Sequence, residues 1–121
     1  NMVEMLSLKH KLAIASGSWV KDIRSILGNA TALDLFPVIL GKESAAREKP
    51  HPDIFLNAAE QLGCPPHECF VLEDALKGLQ AAKEAGMPCI ILRNPLNKNI
   101  NFAGAELIFE SLEDFVAALQ P

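Results

Sequence analysis

The 121-residue chain is half hydrophobic and 21% charged, which indicates one globular domain with enough apolar side chains to form a core. Its net charge of −4 and pI of about 5.3 argue against a nucleic-acid partner, and no basic run with interleaved aromatic residues is present. No apolar stretch approaches the ~20 residues of a membrane span, and the first residues lack a signal-peptide pattern. We therefore expect a cytoplasmic protein that does not bind a membrane.

Strand and helix patterns alternate along the chain. This order predicts a doubly wound, Rossmann-like parallel sheet with helices on both faces. The predicted strands cover, in order, residues 12–15, 36–40, 70–72, 88–92 and 106–109. The predicted helices cover residues 19–27, 52–62, 75–85 and 112–119, with residues 1–11 as the tail of a preceding helix. Ser18 is the expected N-cap of the helix that Gly28 ends.

Three cysteines, Cys64, Cys69 and Cys89, make an odd count. A free thiol in or beside a strand behaves as a small hydrophobic group. A zinc site built from Cys64, His67 and Cys69 would have no recognised ligand spacing and no fourth ligand nearby. We expect reduced thiols with a structural role.

Two polar segments between these elements have groups suited to a phosphate. The segment Ser16–Ser18 follows a strand and precedes a helix, so its hydroxyl and N–H groups suit an anion, although a plain N-cap is the simpler explanation. Lys49 precedes Pro50 and Pro52, whose rings restrict the loop. Taken alone, a solvated surface lysine is the simpler explanation of Lys49.

Two adjacent carboxylates, Glu73 and Asp74, follow the apolar segment 70–72. In open α/β sheets, ligands bind at the carboxyl ends of the strands. Two carboxylates there supply oxygen ligands of the kind that Mg²⁺ takes alongside a substrate phosphate. Helix capping is the competing interpretation, because acids near a helix start are stabilising by about 0.3–1 kcal/mol.

In combination, these segments resemble the haloacid dehalogenase superfamily, and most closely its β-phosphoglucomutase-like phosphatases and mutases. The resemblance is carried by Ser-Gly-Ser after a strand, by Lys-Pro-His-Pro-Asp-Ile-Phe from Lys49, and by Leu-Glu-Asp-Ala-Leu-Lys-Gly from Leu72. It extends from about residue 12 to residue 119, which is nearly the whole chain.

The resemblance implies a role for each of five residues. The hydroxyl of Ser16 and the N–H of Gly17 would hold the transferring phosphoryl group, and Lys49 would neutralise charge between that group and the nucleophile. Glu73 and Asp74 would hold Mg²⁺, directly or through water. These roles agree with the needs of phosphoryl transfer, which depends mainly on positioning and cationic charge.

The chain departs from the family pattern at the first motif, Asp-x-Asp-x-Thr, which supplies the nucleophile and the acid for the leaving group. None of its aspartates is followed two positions later by another aspartate; they are Asp22, Asp34, Asp53, Asp74 and Asp114. The helical cap between the first and second motifs is absent as well. We therefore expect residues 1–121 to be the C-terminal portion of a core domain that lacks its central first strand. Such a chain would be inactive alone and would need the N-terminal segment in cis or as a second chain.

The implied function is that of a Mg²⁺-dependent phosphatase. It would act on a small phosphomonoester such as a sugar phosphate, through an aspartyl-phosphate intermediate. A sugar-phosphate mutase and a non-catalytic phosphate-binding or interaction fragment are the alternatives. A receiver-type signalling domain fits less well, because its acidic pair follows the first strand, whereas Glu73 and Asp74 follow a late one.

Overall fold

Parallel strands and helices alternate along the part of the chain that this computed structural model describes, residues 2–28 and 34–119. The strands are β1 (Ala13–Ala15), β2 (Val38–Leu40), β3 (Val71–Glu73), β4 (Cys89–Leu92) and β5 (Leu107–Phe109). The helices are α1 (Met2–Ser7), α2 (Val20–Leu27), α3 (Asp53–Leu62), α4 (Leu76–Glu84) and α5 (Leu112–Leu119). Within these ranges no helix is long and apolar enough to cross a membrane. The predicted elements are confirmed, with most of the strands shorter than expected.

The strands form two separate parallel sheets. β1 pairs with β2, with Ala13 opposite Val38. β4 lies between β3 and β5 in the second sheet, and Val71 of β3 is opposite Cys89. In the described residues no ladder joins β1 to β3. The sequence predicted one sheet with its central strand absent, whereas the described strands form two sheets.

Helices cover both faces of the sheets, as expected for a doubly wound fold. Successive residues of a strand point to opposite faces, and β4 shows this directly. Ile91 is fully buried in the larger core, which includes the apolar sides of α3 and α4. Its neighbour Ile90 packs on the other face, against Phe115 and Val116 of α5, and Leu6 of α1 packs against the same cluster.

A slot of about 530 Å³ lies between β1 and β3. Ala13 and Val71 line it from the two strands, and Phe55, Phe70 and Phe115 contribute aromatic rings. Each of the two strands has a sheet neighbour on one side only within the described ranges. The slot therefore combines apolar walls with two backbone edges of the kind that accepts a further strand.

We expect the isolated 121-residue polypeptide to self-associate, because unpaired strand edges pair with other chains. Sedimentation velocity should detect species heavier than the 13.1 kDa monomer. Leu12→Lys places a charge at the slot and should shift the population towards monomer. The control Leu96→Lys, at a loop position that is 94% exposed, should leave it unchanged. A single monomeric species that unfolds cooperatively would contradict this expectation.

Candidate active site

Lys49 connects the carboxyl ends of β1 and β3. Its Nζ donates to the carbonyl oxygen of Ala15, the last residue of β1, at 3.2 Å. The same Nζ forms an ion pair with Oε2 of Glu73, the last residue of β3, at 2.9 Å. The lysine side chain is 19% exposed and the Glu73 side chain 12%, and the Nζ lies 4.9 Å from the centre of the Phe55 ring. The interpretation of Lys49 as a solvated surface lysine is therefore wrong.

Both carboxylate oxygens of Glu73 accept hydrogen bonds from other groups of the protein. Besides the Oε2 contact with Lys49, Oε1 accepts a hydrogen bond from the Asp74 N–H at 3.2 Å. The side chain lies against Gly78, where a Cβ atom would overlap it. α4 begins after Ala75, an N-cap without a side-chain hydrogen bond. Neither carboxylate therefore caps α4 through a side-chain hydrogen bond.

Asp74 is exposed and is held by the loop that follows β4. Its Oδ2 accepts a hydrogen bond from Asn94 Nδ2 at 3.3 Å. Its backbone carbonyl accepts one from Asn97 Nδ2 at 2.8 Å. Neither asparagine is among the site residues predicted from the sequence, because no periodic pattern marks a buried amide within a polar loop.

The segment Ser16–Ser18 forms a turn at the end of β1. The Ser16 N–H donates to the carbonyl of Leu40 at 3.0 Å, which extends the pairing with β2 by one residue. Ser16 Oγ accepts from the Ser18 N–H at 3.1 Å. Gly17 is exposed, and no atom beyond its two chain neighbours lies within 4 Å of the position that a Cβ would take. A ligand can therefore approach the backbone at Gly17 closely.

The loop after β2 braces this turn. The Lys42 N–H donates to the Ser18 carbonyl at 2.8 Å, and Glu43 Oε1 accepts from the Val20 N–H at 3.0 Å. Trp19 is the N-cap residue of α2 and has no capping side-chain bond. The predicted N-cap at Ser18 is wrong, because a carboxylate from a distant loop takes up the helix N-terminal donor instead.

A cavity of about 310 Å³ opens beside Lys49 and the Ser16–Ser18 turn. Cationic side chains outnumber carboxylates in its lining; the charged residues are Lys42, Arg47, Lys49, Lys77, Glu48 and Glu73. This balance favours an anionic ligand. Asp74 lies outside the lining, although its neighbour Glu73 contributes to it.

Arg47 anchors the loop that carries Lys49. Its guanidinium donates to both carboxylate oxygens of Asp53 at the start of α3, at 2.9 and 3.3 Å. The hydrogen bond lowers the pKa of Asp53 and raises that of Arg47. This two-point contact holds the loop against the start of α3.

The two carboxylates at the end of β3 fit part of a divalent-cation site. Among the described residues no group of three or more histidine, cysteine, aspartate or glutamate side chains forms a metal cage. Mg²⁺, however, is commonly bound by one or two carboxylates together with substrate phosphate and water. Glu73 and Asp74 fit this second kind of site, with Asp74 as the more exposed carboxylate.

Comparison with known proteins identifies relatives of the chain. The family model for haloacid dehalogenase-like hydrolases matches residues 1–92. The chain is 34% identical over 108 residues to Protein CbbY of Cereibacter sphaeroides, covering 86% of this chain and 46% of that protein. It is also 34% identical over 93 residues to phosphoglycolate phosphatase of Escherichia coli, covering 73% and 37% of the two chains.

A solved structure shows the same similarity. A mutant CbbY from Rhodobacter sphaeroides in complex with xylulose-(1,5)bisphosphate superposes with a TM-score of 0.81 at 32% identity. The match covers 92% of this chain and 51% of that one. The present chain thus spans about half the length, or less, of these relatives.

Gly78→Ala should lower the melting temperature, although alanine is normally favoured over glycine within a helix by roughly 0.5–1 kcal/mol. The added Cβ would push Glu73 away from Lys49. Differential scanning calorimetry tests this, with Gln80→Ala on the exposed side of α4 as the control. In a Glu73→Ala background the Gly78 substitution should no longer be destabilising. An increased melting temperature for Gly78→Ala alone would refute the close contact.

Proposed function

Because the chain belongs to the haloacid dehalogenase-like hydrolase family, we propose that it is the C-terminal portion of the core domain of a Mg²⁺-dependent phosphatase. The contact of Lys49 Nζ with both Ala15 O and Glu73 Oε2 is the observation that most supports this proposal. Through it, the turn after β1, the Lys49 loop and the acidic end of β3 meet beside one cavity. Phosphoryl transfer requires this convergence, because a cation and fixed donors must surround the same phosphoryl group.

Each loop has a distinct role in the proposed reaction. The hydroxyl of Ser16 and the N–H of Gly17 hold the transferring phosphoryl group. Lys49 neutralises negative charge between that group and the nucleophile. Glu73 and Asp74 would hold Mg²⁺ directly or through water, and the bound ion would supply further neutralisation of phosphate charge.

The nucleophile belongs to a segment that we place in the slot between β1 and β3. An extended segment there would complete both open edges and bring a carboxylate to the strand ends beside Lys49. That carboxylate attacks phosphorus, and the ester oxygen leaves with a proton from a second acid of the same segment. Water then hydrolyses the acyl phosphate. The segment is supplied in cis or by a second chain, and residues 1–121 alone are inactive.

The proposed substrate is a small phosphomonoester such as a sugar phosphate. The name phosphoglycolate phosphatase and the xylulose-(1,5)bisphosphate complex of CbbY support this class for two relatives. The cationic lining of the 310 Å³ cavity suits the phosphate end of such a molecule. In the full-length enzyme, a helical cap would select the rest of the substrate.

The proposed location is the cytoplasm. The thiols of Cys64, Cys69 and Cys89 are all free, as expected in a reducing compartment. Burial, with a smaller contribution from nearby Glu73, raises the pKa of the Cys89 thiol to about 11. This thiol therefore stays protonated at neutral pH and packs as an apolar group.

Asp74→Asn tests the proposal in the full-length enzyme with an aryl phosphate as substrate. Removing this charge should reduce turnover by about 100-fold or more, because it weakens binding of the Mg²⁺ that would neutralise the phosphate. Wild-type turnover should require Mg²⁺ and stop with a chelator. The melting temperature should hardly change, because the Asp74 side chain is exposed. Asp114→Asn, an exposed carboxylate at the start of α5, is the matched control.

Lys49→Met should lower both turnover and the melting temperature, since it leaves the poorly exposed Glu73 carboxylate without its cation. Lys21→Ala, at an exposed position of α2, controls for loss of a lysine. Near-normal turnover in Asp74→Asn or Lys49→Met would show that the corresponding role is wrong. Metal-dependent turnover by residues 1–121 alone, lost in Asp74→Asn, would show that no outside nucleophile is needed.

A further inference from the structure

The loop after β4 contains a buried amide that the proposed chemistry does not use. Asn97 is 3% exposed. Among the residues that the structure describes, it is the one polar residue that is buried. A buried amide is costly unless its donors and acceptor are paired. The partners of Asn97 therefore indicate what this side chain is for.

Asn97 connects the end of β4 to the residue that follows β3. Its Nδ2 donates to the carbonyls of Asp74, at 2.8 Å, and of Leu92, at 3.1 Å. Its Oδ1 accepts from the Asn94 N–H at 2.8 Å. The two carbonyls can only accept, so they fix which end of the amide faces them. Both donors and the acceptor are satisfied, and one of the bonds fixes the Asp74 backbone.

Asn94 holds the Asp74 side chain. Its Oδ1 accepts from the N–H groups of Leu96 and Asn97, at 2.8 and 2.9 Å. These two bonds fix the amide, so that its Nδ2 is directed at Asp74 Oδ2, at 3.3 Å. The Asp74 carboxylate is thus restrained in one orientation although it is exposed.

Arg93 closes the loop that presents these two amides. Its guanidinium donates to the carbonyls of Asn97, at 2.8 Å, and of Ile100, at 2.7 Å. It also lies over the Phe102 ring, with its central carbon 5.1 Å from the ring centre. Charge-assisted bonds to two carbonyls restrain the loop, so the amides of Asn94 and Asn97 are held in place before any ligand binds.

We propose that Asn94 and Asn97 are positioning residues that set the divalent-cation affinity of Asp74. Asn97 holds the Asp74 backbone, and Asn94 holds its carboxylate. The inference rests on the proposed function, in which Asp74 is a cation ligand. Partners that orient a ligating carboxylate typically change metal affinity by about 10–100-fold when removed. If the two asparagines served only to close the loop, substituting them would change stability and leave cation affinity unaltered.

The test measures binding of Mn²⁺ alone to the full-length protein by electron paramagnetic resonance, without substrate or turnover. Asn94→Ala and Asn97→Ala should each raise the Mn²⁺ dissociation constant by about tenfold or more. Asn99→Ala, at an exposed position of the same loop, is the matched control and should bind like wild type. Asp74→Asn is the reference for loss of the ligand itself.

Melting temperatures separate positioning from stability. Asn97→Ala should lower the melting temperature, because it removes the three hydrogen bonds of a buried amide. Asn94→Ala removes the contact with Asp74 and two bonds from loop N–H groups. Because Asn94 is only half-buried, this variant should lower the melting temperature less than Asn97→Ala, and its affinity decides the question if Asn97→Ala fails to fold.

The outcomes distinguish this inference from the proposed function. If Asp74→Asn binds Mn²⁺ as tightly as wild type, the metal site of the proposed function is wrong and the positioning role fails with it. If Asp74→Asn loses Mn²⁺ while Asn94→Ala binds like wild type, the metal site stands and the positioning role alone is refuted.

Discussion

The ion pair between Lys49 and Glu73 is the interaction on which the rest of the structure depends. No ladder joins the two sheets within the described ranges, yet Lys49 contacts the last residue of β1 and the last residue of β3. The pair is 2.9 Å long and both of its side chains are poorly exposed. Breaking it would therefore leave a charge without compensation. The close approach of Gly78 to Glu73 and the Arg47 anchor of the Lys49 loop both maintain this contact.

The Lys49–Glu73 ion pair gives the two adjacent carboxylates different environments. Glu73 is committed to Lys49 and to the Asp74 N–H, so its charge is already compensated within the protein. Asp74 points to solvent and is restrained by amides from the loop after β4. Two acids that look equivalent in sequence therefore occupy different environments. Glu73 connects the strand ends as well, whereas Asp74 has the more exposed carboxylate.

Sequence periodicity predicted the helices well, because the burial of an amphipathic face depends on local spacing. Ile54 and Phe55 are buried as that spacing requires. Contacts between distant loops could not be predicted in the same way. The N-terminus of α2 is served by Glu43 and not by Ser18, and Asn97 is buried within a loop whose composition predicts exposure. Both depend on tertiary contacts that no local pattern encodes.

The fluorescence of Trp19 during titration with inorganic phosphate tests most directly whether these loops form one phosphate site. Trp19 is the single tryptophan of residues 1–121, is 47% exposed, and directly follows the Ser16–Ser18 turn, with Lys42 Nζ 5.5 Å from its ring centre. We predict a saturable change of emission in the full-length protein that Lys49→Met abolishes. The same change should be lost in Trp19→Phe, which assigns the signal to Trp19. An equal saturable change in Lys49→Met, or none in the wild-type protein, would contradict convergence of the loops on a phosphate through Lys49.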